Sequence, residues 1–214
     1  MAVRNSQHIG FWMLLVMLGF LLGPLMRSGT SMEAFVKTEI EQTRSAFGPT
    51  VAEYVVGFAN GIFEATPLGM VAATAQGRKL TKEEQKQSGD IGGPVGAVAA
   101  SVFNSYLQGL ALQSFVVAMR FAIAMVWIVT LAPMLAASVY DGFMQRRIKR
   151  AEFGAIRPAT YTVAGFFVIP LLALPAMYLV LPFTISPLLA PAWALIVSLP
   201  LSLLISNMQP LFGR

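Results

Sequence analysis

The sequence predicts an all-α, polytopic membrane protein with about four transmembrane helices and a helical extracytoplasmic region between the first two. Of its 214 residues, 56% are hydrophobic and only 12% charged, against about 25% charge in an ordinary soluble domain. Several apolar runs approach the roughly 20 residues that a helix needs to cross about 30 Å of hydrocarbon. The charge is also segregated. Basic residues collect between the second and third apolar runs, and the last two runs carry no charge at all.

Residues 1–26 read as an N-terminal membrane anchor whose span is Ile9–Met26. A secretory signal peptide is the alternative, because Arg4 supplies a basic start. No small-residue cleavage pattern follows in RSGTSME and Pro24 lies within the run, so a retained anchor is the expectation.

Residues 27–110 read as the extracytoplasmic helical region. Ser31–Phe47 suits a helix with Glu33 and Lys37 at i,i+4, ended by Gly48-Pro49. A second helix from Thr50 would align Val51, Tyr54, Val55, Phe58 and Ile62 on one face. Gly57 and Gly61 form a small-xxx-small pair for close helix packing, either within the chain or at a seam between copies. The polar stretch Gly77–Asp90 reads as a solvated loop. From Pro94 a helix is expected to run into the second span, reaching about 45 residues or ~70 Å at 1.5 Å per residue.

Residues 111–214 read as a three-span membrane domain, with spans inside Phe115–Val139, Thr162–Leu181 and Leu188–Met208. Prolines at 133, 170, 175, 191 and 200 interrupt these runs. Neighbouring helices can satisfy the carbonyls that proline frees, so kinked rather than broken spans are expected. The loop 141–160 holds Arg146, Arg147, Lys149, Arg150 and Arg157 against Asp141 and Glu152, which makes it cytoplasmic by the positive-inside rule. Counting spans from it places both termini in the cytoplasm, where Arg4 and Arg214 would lie. The region 27–110 then falls outside, with seven cations and eight acids.

The residues offer little chemistry. There is no cysteine, hence no disulfide, thiolate nucleophile or cysteine metal site. GDIGGPVG, residues 89–96, is glycine-rich but lacks the Lys and Ser/Thr of a phosphate loop, and reads as a turn. His8 is the only histidine, and no triad or metal cluster can be built on it. The pairs Glu39/Glu41 and Glu83/Glu84 read as solvated faces. No catalytic residue, cofactor or metal is expected, and the chain reads as a non-enzyme.

Two charged features stand out instead. Arg120 is the one ionisable residue close to an apolar core. It is expected at the membrane interface, with pairing to an acid or a helix end within the bundle as the alternative. Asp141, Arg146, Arg147, Lys149 and Arg150 close the second span, and Arg146, Lys149 and Arg150 share one helical face. That face suits either anionic headgroups or an acidic partner. Five cations beside a membrane are a small footprint for nucleic acid, and direct nucleic-acid binding is not expected.

An anchor, a long extracytoplasmic helical region and a proline-containing span ending in D-G-[FL]-x-x-R-x-[IL]-[KR]-R resemble the TraJ-like membrane proteins of conjugative plasmids and integrating conjugative elements. The pattern falls on Asp141, Gly142, Phe143, Arg146, Ile148, Lys149 and Arg150, with Pro133 upstream. Downstream, GAIRPATYTVAG keeps a glycine and a tyrosine at Gly154 and Tyr161 but lacks the family's Glu and His. The resemblance implies a bacterial inner-membrane subunit of a conjugative type IV secretion apparatus that docks the membrane region of a TraG/TraD-type coupling ATPase, with a homo-oligomer as a further possibility. A small-solute transporter or channel subunit is the alternative, although spans three and four contain no charge.

Overall fold

The computed structural model describes residues 2–27, 29–152 and 158–208, with the side chains of 2–9 and 158 left aside. Every element among these residues is a helix: α1 (Ala2–Met26), α2 (Gly29–Phe47), α3 (Pro49–Ala65), α4 (Pro67–Gly77), α5 (Lys82–Ala151), α6 (Pro158–Val180) and α7 (Leu189–Ser206). They form two compact units. The first comprises Met1–Ile123 and Met177–Pro187, the second Ala124–Ala176 and Leu188–Arg214.

In the first unit, α2 stops where expected. Gly48 takes a positive φ of 80°, a conformation that costs a residue with a Cβ, and Pro49 starts α3 without needing to donate an N–H. Beyond Gly29 at its start, the buried residues on α2 are Met32, Phe35, Glu39 and Thr43, an i, i+3, i+7, i+11 stripe. Met32 and Phe35 pack with Val116 of α5 to make the local core. Helix α3 packs against α2, and its buried residues are Ala52, Val55 and Ala59. The expected α3 face is therefore rotated: Val55 is buried, whereas Val51, Tyr54 and Phe58 are exposed. Two of the three buried residues are alanines, small enough to suit close helix packing, whereas the sequence pattern weighted bulk.

Of Gly77–Asp90 only residues 78–81 form a loop, and the rest is helix. Helix α4 reaches Gly77 and α5 begins at Lys82. Thr81 and Glu84 form a reciprocal capping box: the Thr81 N–H donates to Glu84 Oε2 at 2.7 Å, and the Glu84 N–H donates to Thr81 Oγ1 at 3.3 Å. The polarity of this stretch is that of a solvated helix with a good N-terminus.

Gly93, at φ 60° and ψ −151°, breaks α5. The glycine run is a corner, with Pro94 opening the helix that follows. Residues 82–92 fold back along 94–104 as an antiparallel arm. Leu80 donates its N–H to Asn104 Oδ1 at 2.7 Å and accepts from Asn104 Nδ2 at 2.8 Å. Nearer the corner, a Cβ on Gly96 would collide with the Ser88 carbonyl oxygen, so the arm can close only over glycine. Beyond the corner the helix continues to Ala151 through Pro133, as expected from Pro94 onward.

In the second unit, α6 keeps its helix through Pro170 and Pro175, and α7 through Pro200. Pro175 cannot donate to the Leu171 carbonyl, and Trp193 Nε1 of α7 does so instead at 2.7 Å. A neighbouring side chain thus satisfies a proline-freed carbonyl.

Helices α5, α6 and α7 contain stretches long and apolar enough to cross a membrane. The count rises to as many as five if each of two bent pairs is one span: Gly10–Met26 with Gly29–Phe47, bent by 115°, and Pro49–Ala65 with Pro67–Gly77, bent by 73°.

Candidate functional site

The end of α5 is fastened to the end of α7 by the residues of the D-G motif. A Cβ on Gly142 would lie 2.9 Å from the Ser202 carbonyl oxygen and 2.8 Å from Ile205 Cβ, so only glycine permits this approach. Beside it, Asp141 Oδ2 accepts from Ser202 Oγ at 2.7 Å and from Gln145 Nε2 at 2.8 Å. One turn or more further along, Lys149 Nζ donates to Asn207 Oδ1 at 3.2 Å and lies 3.4 Å from Ser206 Oγ. An ammonium at the C-terminus of α7 also complements the helix dipole.

The five expected docking residues are thereby divided. Asp141 and Lys149 are engaged with α7, Arg146 and Lys149 are half-buried, and Arg147 and Arg150 are exposed. Helical spacing does put Arg146, Lys149 and Arg150 near one another, but it could not reveal that α7 occupies part of that face. Ser202, Ser206 and Asn207 were missed, and the signal for them was a polar i,i+4 series ending an otherwise apolar run. Gly154, Arg157 and Arg214 lie outside the described residues, as do the side chains of Arg4 and His8.

The second site lies in the first unit, where Arg120 is 0% exposed and its acid partner Glu39 only 2%. Nε donates to Glu39 Oε1 at 2.7 Å and Nη2 to Glu39 Oε2 at 3.2 Å, a bidentate pair. Nη1 also donates to the Tyr178 carbonyl at 2.8 Å and to that of Leu181, while Nη2 donates to that of Phe183. All five N–H donors of the guanidinium are thus engaged. The rings of Tyr178 and Phe35 lie 4.9 and 5.4 Å from its carbon. Two turns earlier on α5, Gln113 Nε2 donates to the Val180 carbonyl at 3.0 Å. Carbonyls left open where α6 ends are therefore closed by side chains of α5.

Arg120 thus takes the alternative expectation, pairing with both an acid and a helix end, and its head group is enclosed in protein rather than extended along the helix toward headgroups. Glu39 does not belong to a solvated face; only Glu41 of that pair is exposed. The signal was available: Glu39 falls on the Met32–Phe35–Thr43 stripe, and an acid there needs a cation.

Among the described residues, nothing outside their own helix backbone lies within 4 Å of where a Cβ on Gly57 or Gly61 would stand. Both glycines are exposed on α3. No three His, Asp or Glu side chains among the described residues are placed to hold a metal ion.

Residues 28–213 match the family model described as IncC plasmid conjugative DNA transfer protein DtrJ-like. The chain belongs to the DtrJ-like family. The match takes in α2 to α7, and so includes both the Arg120–Glu39 pair and the basic end of α5. Membership in the DtrJ-like family implies a role in conjugative DNA transfer. No curated protein and no solved structure matches the chain.

Proposed function

We propose that this DtrJ-like protein is a non-enzymatic, multi-pass subunit of the bacterial inner membrane, with both termini in the cytoplasm. It scaffolds the conjugative type IV secretion apparatus by docking the membrane region of a TraG/TraD-type coupling ATPase. The observation that supports this most is the fastening of α5 to α7 by Gly142, Asp141 and Lys149, which leaves Arg147 and Arg150 exposed on a held helix end. Cations displayed on a fixed element suit an acidic partner, since little ordering is required on binding. The same residues lie close to a long apolar stretch and also suit anionic headgroups. A solute-transport reading gains nothing from Arg120, whose N–H groups are all engaged within the protein.

The deciding experiment is Arg147→Glu with Arg150→Glu in the full chain, followed by co-purification of the coupling ATPase from membranes. Loss of the ATPase with membrane insertion, orientation and thermal stability intact is the expected result. Orientation is checked by cysteine labelling, because removing these charges can invert a topology. Undiminished co-purification in the correct orientation would overturn docking at this surface.

A further inference from the structure

Opposite the arm 82–92, the first turns of the helix after Pro94 present an apolar stripe to the surface. Val95, Val98, Val102 and Tyr106 follow one another at i, i+3, i+7 and i+11, the spacing of a helix-packing seam. Ala97, which faces the arm at Gly89, and Asn104, which bonds Leu80 just before the arm, lie on the other side. Val95, Val98 and Val102 are 78%, 61% and 55% exposed. With Leu25, Phe103 and Tyr106 they line an open groove of about 670 Å³.

The continuation of this face already receives a helix. Pro24 of α1 packs on Gly109, where a Cβ would approach to 3.0 Å, and the Tyr106 hydroxyl donates to the Leu21 carbonyl at 3.3 Å. Helix α1 then ends at Met26, and the stripe runs on uncovered. Hydrocarbon is a poor occupant at this level. The arm packed along the same turns exposes Lys82, Glu83, Glu84, Lys86 and Asp90, and charges are costly in a bilayer core. Six apolar or aromatic side chains give a patch of several hundred Å², the size that marks an interaction surface. Such a patch approaches the roughly 800 Å² per partner of a stable interface.

We propose that this stripe is the contact between two copies of the chain. Copies inserted in one orientation are related by a twofold axis normal to the membrane, which sets equal residues of the two stripes against each other. The valines then interdigitate across the axis beside Ala99 and Pro94. This pairing is independent of ATPase docking at Arg147 and Arg150.

The absence of native cysteine permits a direct test in membranes with the full chain. Val95→Cys, Val98→Cys and Val102→Cys, made singly, should give oxidative adducts of twice the subunit mass, while Ser101→Cys on the flank should give few. A second measurement is light scattering of the detergent-solubilised protein, where Val98→Glu with Val102→Glu should raise the dimer dissociation constant at least about tenfold. Absence of the doubled adduct, equal adduct at all four positions, or cross-linking of the stripe to a different protein would overturn the proposal. The cysteine variants are small changes at exposed positions, so the test survives even if the glutamates prevent folding.

Discussion

Arg120 and Arg150 lie on the same helix, yet the first is wholly enclosed with its donors engaged and the second stands at the surface. Around Arg120, an acid from α2 and the carbonyls at the end of α6 converge. On the same stretch of helix as Arg150, Asp141 and Lys149 have been taken up by α7. A buried cation is held because its partners come from elements distant in sequence, and it contributes to how those elements meet. An exposed cation contributes little to stability and remains available to another molecule.

The contrast is broken most severely at Glu39. Glu39→Leu should strand the guanidinium and destabilise the protein by about 3–5 kcal/mol, read as a fall in thermal unfolding temperature in detergent. Adding Arg120→Met should not restore the wild-type value, because the carbonyls of Tyr178, Leu181 and Phe183 would lose their donor. Full recovery in the double variant would mean that the pair holds no helix end. Next in size is Gly142→Val, which forces the ends of α5 and α7 apart. A loss of about 1–3 kcal/mol is expected, together with reduced ATPase co-purification even though no arginine has changed.

Smaller effects sharpen the comparison. Gly57→Ala and Gly61→Ala should each stabilise the subunit by up to about 1 kcal/mol through helix propensity, since nothing among the described residues opposes a Cβ there. Replacement of both by Leu, if it lowered the solubilised mass while the subunit stayed folded, would identify a second seam between copies. The smallest expected effect is pH-dependent. The Thr81 N–H, and then its hydroxyl, hold the Glu84 carboxyl below the usual carboxylate range. The capping box is therefore fully present above about pH 4.3, the ordinary glutamate pKa, and is lost as pH falls through the depressed value. Amide exchange at the start of α5 should quicken in that window, and Glu84→Gln should remove the dependence.

The capping box is legible in the sequence. Thr81 and Glu84 stand at the required spacing, but surrounding polarity suggested a loop. The rotated face of α3 was less accessible, because Ala52 and Ala59 carry little hydrophobic weight and their value lies in the close approach they allow. Helix ends at Gly48 and Gly93 could be read directly, since positive φ and proline act within a few residues.

Composition, apolar runs and local punctuation determine that this chain is helical, where most helices begin and end, and which stretches are long and apolar enough to span a membrane. Those properties depend on neighbours in sequence. Only the tertiary structure decides that Arg120 meets Glu39 across 81 positions, that Gln113 and Arg120 close the end of α6, and that α7 takes Asp141 and Lys149 while leaving Arg147 and Arg150 exposed. The physical reason is that a charge or carbonyl specifies only that it needs a partner. Which partner it finds depends on the faces that packing brings together.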